Sequence, residues 1–314
     1  MSDCVLVTGG AGFIGSHTVN LLLQQNKEVI VVDNLSSGHL QGLDINHPQL
    51  EFIEADVLNF PLMLELIERC DAVLHLAAIA SVQYSIEHLI DSFQVNTQGF
   101  LHILEAVRKI NRPIRLVYAS SAAVYGEVKI LPCHDEQTLK GRLLSPYSLQ
   151  KANNEDYAKL YAHLHGIKSL ALRYFNVYGP GQDPRSPYSG VISRLLNRYQ
   201  QEQELIIFGD GKQSRDFIHV DDIARANYLA LQNHFVGAVN IATGAPQTLL
   251  DLVNYLELAG HRQTKLHFMT AKSGDIRSSY ASVELAKKML NFSSTISLQE
   301  GIRLMLNKEY NAKK

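Results

Sequence analysis

The strongest constraint on this chain lies at its start. Cys4-Val-Leu-Val-Thr8 is a short apolar run, fit for a strand buried in a parallel sheet. Gly9-Gly10-Ala11-Gly12-Phe13-Ile14-Gly15 follows at once, and a helical pattern then runs through Leu21, Leu22 and Leu23 to about Gln25. Strand, glycine turn and helix in that order commit the chain to an α/β beginning. The glycines read either as G-x-x-G-x-x-G (Gly9, Gly12, Gly15) or as G-x-G-x-x-G (Gly10, Gly12, Gly15). In both frames they permit a tight turn and close approach of a pyrophosphate to a helix N-terminus. Free N–H groups and the helix dipole favour an anion there. Phe13 and Ile14 lie inside the same cradle.

The next strand, Glu28–Val32, ends in Asp33, spaced from Gly15 as an acidic ribose ligand is, about 20 residues on. A carboxylate there repels a 2′-phosphate, and no Lys or Arg between 34 and 40 offsets it, so the expected cofactor is NAD and not NADP. Asn34, Ser36 and Gly38 join the expected cofactor loop. Strands and helices then alternate. Leu50–Glu54 is a strand leading to Asp56-Val57, a place for adenine. Phe60–Cys70 reads as a helix and Ala72–Leu76 as a strand, after which Leu76-Ala77-Ala78 is small enough to let a cofactor pass closely. Ile86–Lys109 reads as one long helix carrying Asn96, whose side chain competes with the backbone in a helix interior and so points to a polar task. Arg115–Ala119 is another strand, ending in Ser120-Ser121. This rhythm predicts a doubly wound parallel (Rossmann) sheet with ligands at the carboxyl ends of its strands.

In Ser145-Pro-Tyr-Ser-Leu-Gln-Lys151, Tyr147 and Lys151 stand four apart. In a helix both lie on one face, about 6 Å apart along the axis. A free phenol, with a pKa near ~10, is a poor base at neutral pH. A neighbouring ammonium stabilises the phenolate. A shift of roughly three units needs about 4 kcal/mol, which a lysine together with a cationic nicotinamide can supply. A Tyr-x-x-x-Lys alone arises often by chance in surface helices; beside a nicotinamide site it marks a general base.

Composition removes several other classes. The 314 residues are 46% hydrophobic and 19% charged, which suits one large or two modest globular domains. A formal net charge of −2 gives no global attraction for nucleic acid or anionic membrane. No apolar run reaches membrane-spanning length, and the start lacks a signal-like segment. Cys4, Cys70 and Cys133 are distant in sequence and lack a Cys-x-x-Cys spacing, as expected of reduced thiols in a cytoplasmic protein. The 13 histidines show no ligand spacing, so no metal is expected.

Thr8–Gly15, Asp33, Asn96, Ser121, Tyr147 and Lys151 together resemble the extended short-chain dehydrogenase/reductase family, and the likeness covers nearly the whole chain. Arg173-Tyr174-Phe175-Asn176-Val177-Tyr178-Gly179 and the run Arg215–Asp222 resemble its NAD-dependent nucleotide-sugar branch, closest to UDP-hexose 4-epimerases. The resemblance implies a cofactor domain of residues 1–175 plus about 217–245, interleaved with a smaller substrate lobe of about 176–216 plus 246–314. It places Tyr174 at the cofactor and Asn176, Arg215 and Arg277 at the diphosphate of the substrate, and guanidinium forks match phosphate oxygens. It gives the backbone around Ile206–Phe208 the task of reading uracil. Between these lies a loop broken by Pro180, Pro184 and Pro187 and carrying Asp183 and Arg185.

In this branch a tyrosinate takes a sugar hydroxyl proton while the cofactor takes the hydride, and Ser121 shares the proton path. Dehydratases and decarboxylases resembling this fold carry carboxylates just after that serine; here Ala122-Ala123 stand instead. The resemblance therefore implies a UDP-sugar 4-epimerase. A one-way reductase and a non-catalytic dinucleotide-binding regulator are the alternatives. Ser279 falls where family members gate the sugar, with Gly190 and Val191 on the same wall, and small residues there imply UDP-GlcNAc and UDP-GalNAc as preferred substrates over UDP-glucose and UDP-galactose. A register shift of one would put Ser278 or Tyr280 at the gate. Ile86–Lys109 and Ser145–Gly166 are expected to pair two copies into a homodimer.

Overall fold

The structure is a computed structural model that describes residues 4–110, 112–127, 130–137, 143–182, 190–271 and 276–307. Asp183, Pro184, Arg185 and Pro187, singled out above, lie outside the described residues.

The first half winds as strand and helix in turn: β1 (Cys4–Thr8), α1 (Phe13–Gln24), β2 (Glu28–Asp33), β3 (Leu50–Glu54), α2 (Phe60–Glu68), β4 (Ala72–His75), α3 (Val82–Glu87), α4 (Leu89–Phe93), α5 (Gly99–Lys109), β5 (Arg115–Ser121), α6 (Pro146–His165) and β6 (Ser169–Tyr174). The second half contributes β7 (Asn176–Tyr178), α7 (Val191–Gln200), β8 (Leu205–Phe208), β9 (Ser214–Arg215), β10 (Phe217–His219), α8 (Val220–Gln232) and β11 (Gly237–Ile241). After these come β12 (Gln247–Thr248), α9 (Leu249–Gly260), β13 (Leu266–Met269), β14 (Ser278–Ser279), α10 (Glu284–Leu290) and α11 (Leu298–Leu306).

Seven parallel strands form the central sheet in the order β3-β2-β1-β4-β5-β6-β11. The order reverses between β1 and β4, which opens a crevice at their carboxyl ends. Both faces are covered, so the central strands β1 and β2 carry apolar residues on both sides. Val5, Val7, Val29 and Val31 face α1 and α8 in one core, while Leu6, Ile30 and Val32 face Met63, Leu66, Phe100 and Leu104 of α2 and α5 in the other.

The expected single helix Ile86–Lys109 is a correction. His88, at φ −130, leaves the helical region and separates α3 from α4, and a π-helical turn, Gln94–Gln98, joins α4 to α5. A π turn widens the helix, and the Asn96 carbonyl within it accepts from Asn154 Nδ2 at 2.8 Å. In contrast α6 is closed at both ends by its own sequence. Ser145 and Ser148 form a capping box, Pro146 occupies the first turn, and Gly166 ends the helix at φ 69.

A third core, built from α7, α9, α11 and β8, lies in the segments that leave the sheet. β7 pairs with β10, β8 with β13, and β12-β9-β14 form a small three-stranded sheet. The chain returns through α8, which packs on α1, and β11, which adds to β6. Asp216 lies at that crossing with no exposed surface; its carboxylate accepts from Thr243 N, Thr243 Oγ1 and Gly244 N at 2.6 to 2.9 Å. Cys4 and Cys70, far apart in sequence, bring their sulfurs within 3.1 Å as free thiols. Among the described residues no helix is long and apolar enough to cross a membrane, and no cluster of His, Cys, Asp and Glu could hold a metal ion.

Candidate active site

The glycine turn is tight because backbone meets backbone. Gly9 sits at φ 70, and a Cβ there would lie 2.7 Å from Ala77 N; a Cβ on Gly15 would lie 2.1 Å from the Gly9 carbonyl. Gly12 is the N-cap of α1 and supplies no side-chain cap, and no acidic residue stands in the first turn. The N–H groups of the Phe13–Gly15 turn are therefore left to an anion from outside, as a dinucleotide site requires. Asp33, at the end of β2, is buried and braces this turn: its Oδ2 accepts from Ala11 N at 3.0 Å and its Oδ1 from Leu35 N at 2.9 Å. Asn34 Nδ2 donates to Asp56 Oδ2 at 2.8 Å and Asn34 Oδ1 accepts from Ser36 N. Gly38 packs on Ala11, where a Cβ would come within 2.9 Å of its backbone. Val57 is buried against Gly99, and Leu76 and Ala77 hang from the Thr8 carbonyl and hydroxyl. Ala78 follows them at the same strand end. These residues fit a dinucleotide laid across the crevice.

Two expected cofactor residues sit deeper than a direct contact implies. Asn96 is 1% exposed; its Oδ1 accepts from Ile79 N at 2.7 Å and its Nδ2 donates to Ile79 O and Gln150 Oε1. The Tyr174 hydroxyl donates to Asn227 Oδ1 at 2.6 Å in the core between β6 and α8, and burial pushes its pKa well up.

Ser121, Tyr147 and Lys151 meet where β5 ends and α6 begins. Tyr147 is anchored by its N–H on Ser85 Oγ at 3.1 Å, and its phenol hydrogen bonds with Ser121. Lys151 Nζ donates to the Ala119 carbonyl at 2.9 Å and lies 5.9 Å from the centre of the Tyr147 ring. The expectation that Lys151 depresses the phenol meets a correction. Burial raises the Tyr147 pKa above its ordinary value, and the lowering influence comes from the Ser121 hydrogen bond. The lysine is itself desolvated, its pKa pushed down to about 8 by burial, and its ammonium rests on a carbonyl instead of on the phenol. His75, hydrogen bonded to Thr8 Oγ1 at 2.8 Å, is held down at about 3 by burial and by the Lys151 charge.

Among the residues expected to meet the substrate, β9 and β14 pair in parallel with Ser279 beside Arg215, so these two side chains share one face. Ser278, on the other face, meets Ser214 Oγ at 2.7 Å. Arg277 is bound by Asp210 at 2.7 and 3.0 Å, which holds the Asp210 carboxyl down at about 2. Asn176 Nδ2 donates to Asp216 O. Ile206 and Phe208 alternate with buried Leu205 and Ile207 along β8 and are only partly covered. Gly190 caps α7 and Val191 begins it; a Cβ on Gly190 would meet Gln182 at an ordinary 3.6 Å. Gln150, Gln213 and Asp216 went unremarked in the sequence. Gln213 Nε2 donates to Phe208 O at 2.7 Å and so shapes the strand end expected to read a base. Gln150 lay inside the Tyr147–Lys151 stretch, but only the π turn opposite reveals its partners.

Residues 5–242 match the family described as the NAD dependent epimerase/dehydratase family. A UDP-glucuronate 4-epimerase of Thermodesulfobacterium geofontis is 32% identical over 312 residues, covering 96% of this chain and 94% of that protein. The crystal structure of a UDP-glucose 4-epimerase of Thermotoga maritima with UDP-glucose superposes with a TM-score of 0.91 at 36% identity, covering 99% of both chains. A UDP-N-acetylglucosamine 4-epimerase of Methanobrevibacter ruminantium, solved in complex with UDP-N-acetylmuramic acid, gives 0.93 at 34% identity over 100% of both.

Proposed function

The chain belongs to the NAD dependent epimerase/dehydratase family, and from that premise we propose that it interconverts UDP-sugars at C4, with Tyr147 as the base. The carrying observation is the junction of β5 and α6, where the Tyr147 phenol is hydrogen bonded with Ser121 beside a buried lysine. NAD would supply a hydride acceptor and donor for C4 when bound. Gly9, Gly12 and Gly15 open the helix N-terminus to its pyrophosphate and Asp33 meets its ribose. Tyr147 Oη takes the C4 hydroxyl proton, with Ser121 in the proton path, and later gives it back. Ala122 and Ala123 place no carboxylate beside the sugar, so the 4-keto sugar has no acid or base for loss of water or of a carboxyl group. Its way forward is reduction at the same carbon, and a sugar turned within the site is reduced on the opposite face.

For the sugar we propose a preference for UDP-GlcNAc and UDP-GalNAc over UDP-glucose and UDP-galactose. The register of β14 supports Ser279 as the gate, because Ser278 turns its hydroxyl to Ser214 and Ser279 shares a face with Arg215. An acetamido group needs volume and a polar partner, since a buried unpaired amide costs about 1–3 kcal/mol; a serine hydroxyl offers both. A homodimer is supported by the apolar surface of α3, α4 and α6, where Ile86, Leu89, Ile90, Leu149, Leu160 and Leu164 are exposed. Three unbridged cysteines fit a cytoplasmic enzyme.

The test is a panel of UDP-sugars followed by NMR without added cofactor. Epimer formation with UDP-GlcNAc faster than with UDP-glucose is the expected result. Net reduction or oxidation of the sugar, or no conversion of any UDP-sugar by NAD-loaded protein, overturns the reading.

A further inference from the structure

Gln150 lies between the two functional residues of α6 but points away from them. It is 3% exposed, and both ends of its carboxamide are bound. Nε2 donates to Ser92 Oγ at 3.0 Å, and that hydroxyl donates onward to Leu89 O at 3.0 Å. Because the Ser92 hydrogen is committed to a carbonyl, its oxygen can only accept, which fixes the Gln150 NH₂ toward α4. Oε1 is thereby turned to the π-helical segment, where it accepts from Asn96 Nδ2 at 2.8 Å. The same Asn96 amide grips the Ile79 backbone: its Oδ1 accepts from Ile79 N at 2.7 Å and its Nδ2 also donates to Ile79 O at 3.0 Å. Ile79 directly follows Leu76-Ala77-Ala78, the strand end against which Gly9 packs so closely that a Cβ there would lie 2.7 Å from Ala77 N. One turn further along α6, Asn154 Nδ2 donates to the Asn96 carbonyl at 2.8 Å.

We infer that Gln150 is a positioning residue: through Asn96 it locks the helix that carries Tyr147 and Lys151 to the loop that carries the cofactor, and so sets the reach of the phenol. The Ile79 N–H and carbonyl set which way the Asn96 amide faces, and Gln150 Oε1, itself oriented by Ser92, takes a further bond from Asn96 Nδ2 and so ties that amide to α6. Neither residue needs to touch the cofactor for this to matter. A displacement of about 1 Å in a reacting group costs on the order of 100-fold in rate. This inference rests on the assignment of Tyr147 as base.

The experiment compares Gln150→Met, which keeps length and volume and removes both hydrogen bonds, with Gln150→Glu, which still accepts from Asn96 but cannot donate to Ser92. Steady-state kinetics on UDP-GlcNAc, the pH profile of kcat and the NAD content of purified protein are read for both, with Tyr147→Phe as control. Expected for Gln150→Met is a fall in kcat of about 10- to 100-fold with KM changed less than about twofold, and an acid limb moved to higher pH because the phenol is less well placed. Gln150→Glu should fall between it and wild type. A folded Gln150→Met with wild-type kcat and pH profile overturns the inference, even if its melting temperature drops. Should Gln150→Met fail to fold, a Gln150→Glu variant with wild-type kcat and pH profile overturns it equally. An active Tyr147→Phe overturns the base assignment; an inactive Tyr147→Phe beside unaffected Gln150 variants overturns the positioning role alone.

Discussion

The proposed catalytic wall and the proposed substrate wall are built on opposite principles. Along α6 the polar side chains are buried and mutually committed: Tyr147 is 8% exposed, Lys151 4%, and each hydrogen bonds to a strand end or to a neighbouring helix. On the proposed substrate wall, β9 and β14 present residues that are partly exposed and held by one another, and the Arg277 side chain is 65% exposed against Asp210. The first wall is preorganised for a reaction whose geometry does not change between substrates. The second can exchange partners when a ligand arrives. Substitutions on the first wall should therefore act on rate, and those on the second on affinity and selectivity.

Tyr147→Phe gives the sharpest contrast. It keeps the ring in its buried place and removes only the oxygen, so kcat should fall by about 10³-fold or more while NAD content stays normal. Turnover near wild type would break the distinction between the walls at its centre. Lys151→Met comes next. It removes the bond to the Ala119 carbonyl that holds this turn of α6 against β5, so kcat should fall by about tenfold through misplacement of the phenol. The same change should stabilise the fold at neutral pH. The folded pKa of Lys151, about 8, lies below the unfolded value of about 10.4. Below pH 8 both states hold the proton and the cost of burying the charge is fully present; as pH rises toward 10.4 the folded state has already released it and the cost declines. Thermal unfolding of mutant and wild type should thus differ most at pH 7 and converge near pH 10. Equal melting temperatures at both pH values would mean that Lys151 is not a desolvated cation.

The same contrast explains what could be read without coordinates. The first wall is written in short local patterns: a buried strand before glycines, an acidic strand end, a tyrosine and lysine one helical turn apart. Each maps onto backbone geometry that sequence spacing determines, and the sheet order, the glycine contacts and the cap of α6 follow from it. The residues that join elements are less legible. Ser92, Asn96 and Gln150 are brought together by a π turn that no periodicity announces, and Asp216 is a buried carboxylate that satisfies a loop 27 residues away. The phenol was misjudged for a related reason: four-residue spacing places Lys151 on the right face, but the Ala119 carbonyl, a tertiary neighbour, decides where its charge rests. On the second wall the pairing of two-residue strands, not any helical or strand period, sets which serine faces inward.

That wall can be tested by volume. Ser279→Tyr adds a ring on the face shared with Arg215, and overpacking of this kind costs about 1–3 kcal/mol. UDP-GlcNAc turnover should fall by about 10- to 100-fold while UDP-glucose turnover changes little. If both substrates fall together, or neither changes, Ser279 is not the gate.

Asp210→Asn probes the smallest effect and the most exposed contact. Asp210 binds Arg277 through two hydrogen bonds and adds a negative charge close to where a diphosphate is proposed to sit. Both features oppose an anionic ligand: the guanidinium must exchange one partner for another, and the carboxylate repels the newcomer. Asparagine keeps the size, removes the charge and weakens the hold on Arg277, so KM for the UDP-sugar should fall with kcat unchanged. Solvent screens this pair, which limits the change to less than about tenfold. The difference should shrink further as salt is raised, because the Debye length drops from about 10 Å at 0.1 M to about 3 Å at 1 M. A KM identical to wild type at low and high salt would make Asp210–Arg277 an ordinary surface ion pair, and the exchangeable wall would then have to be sought at Arg215 and Asn176 instead.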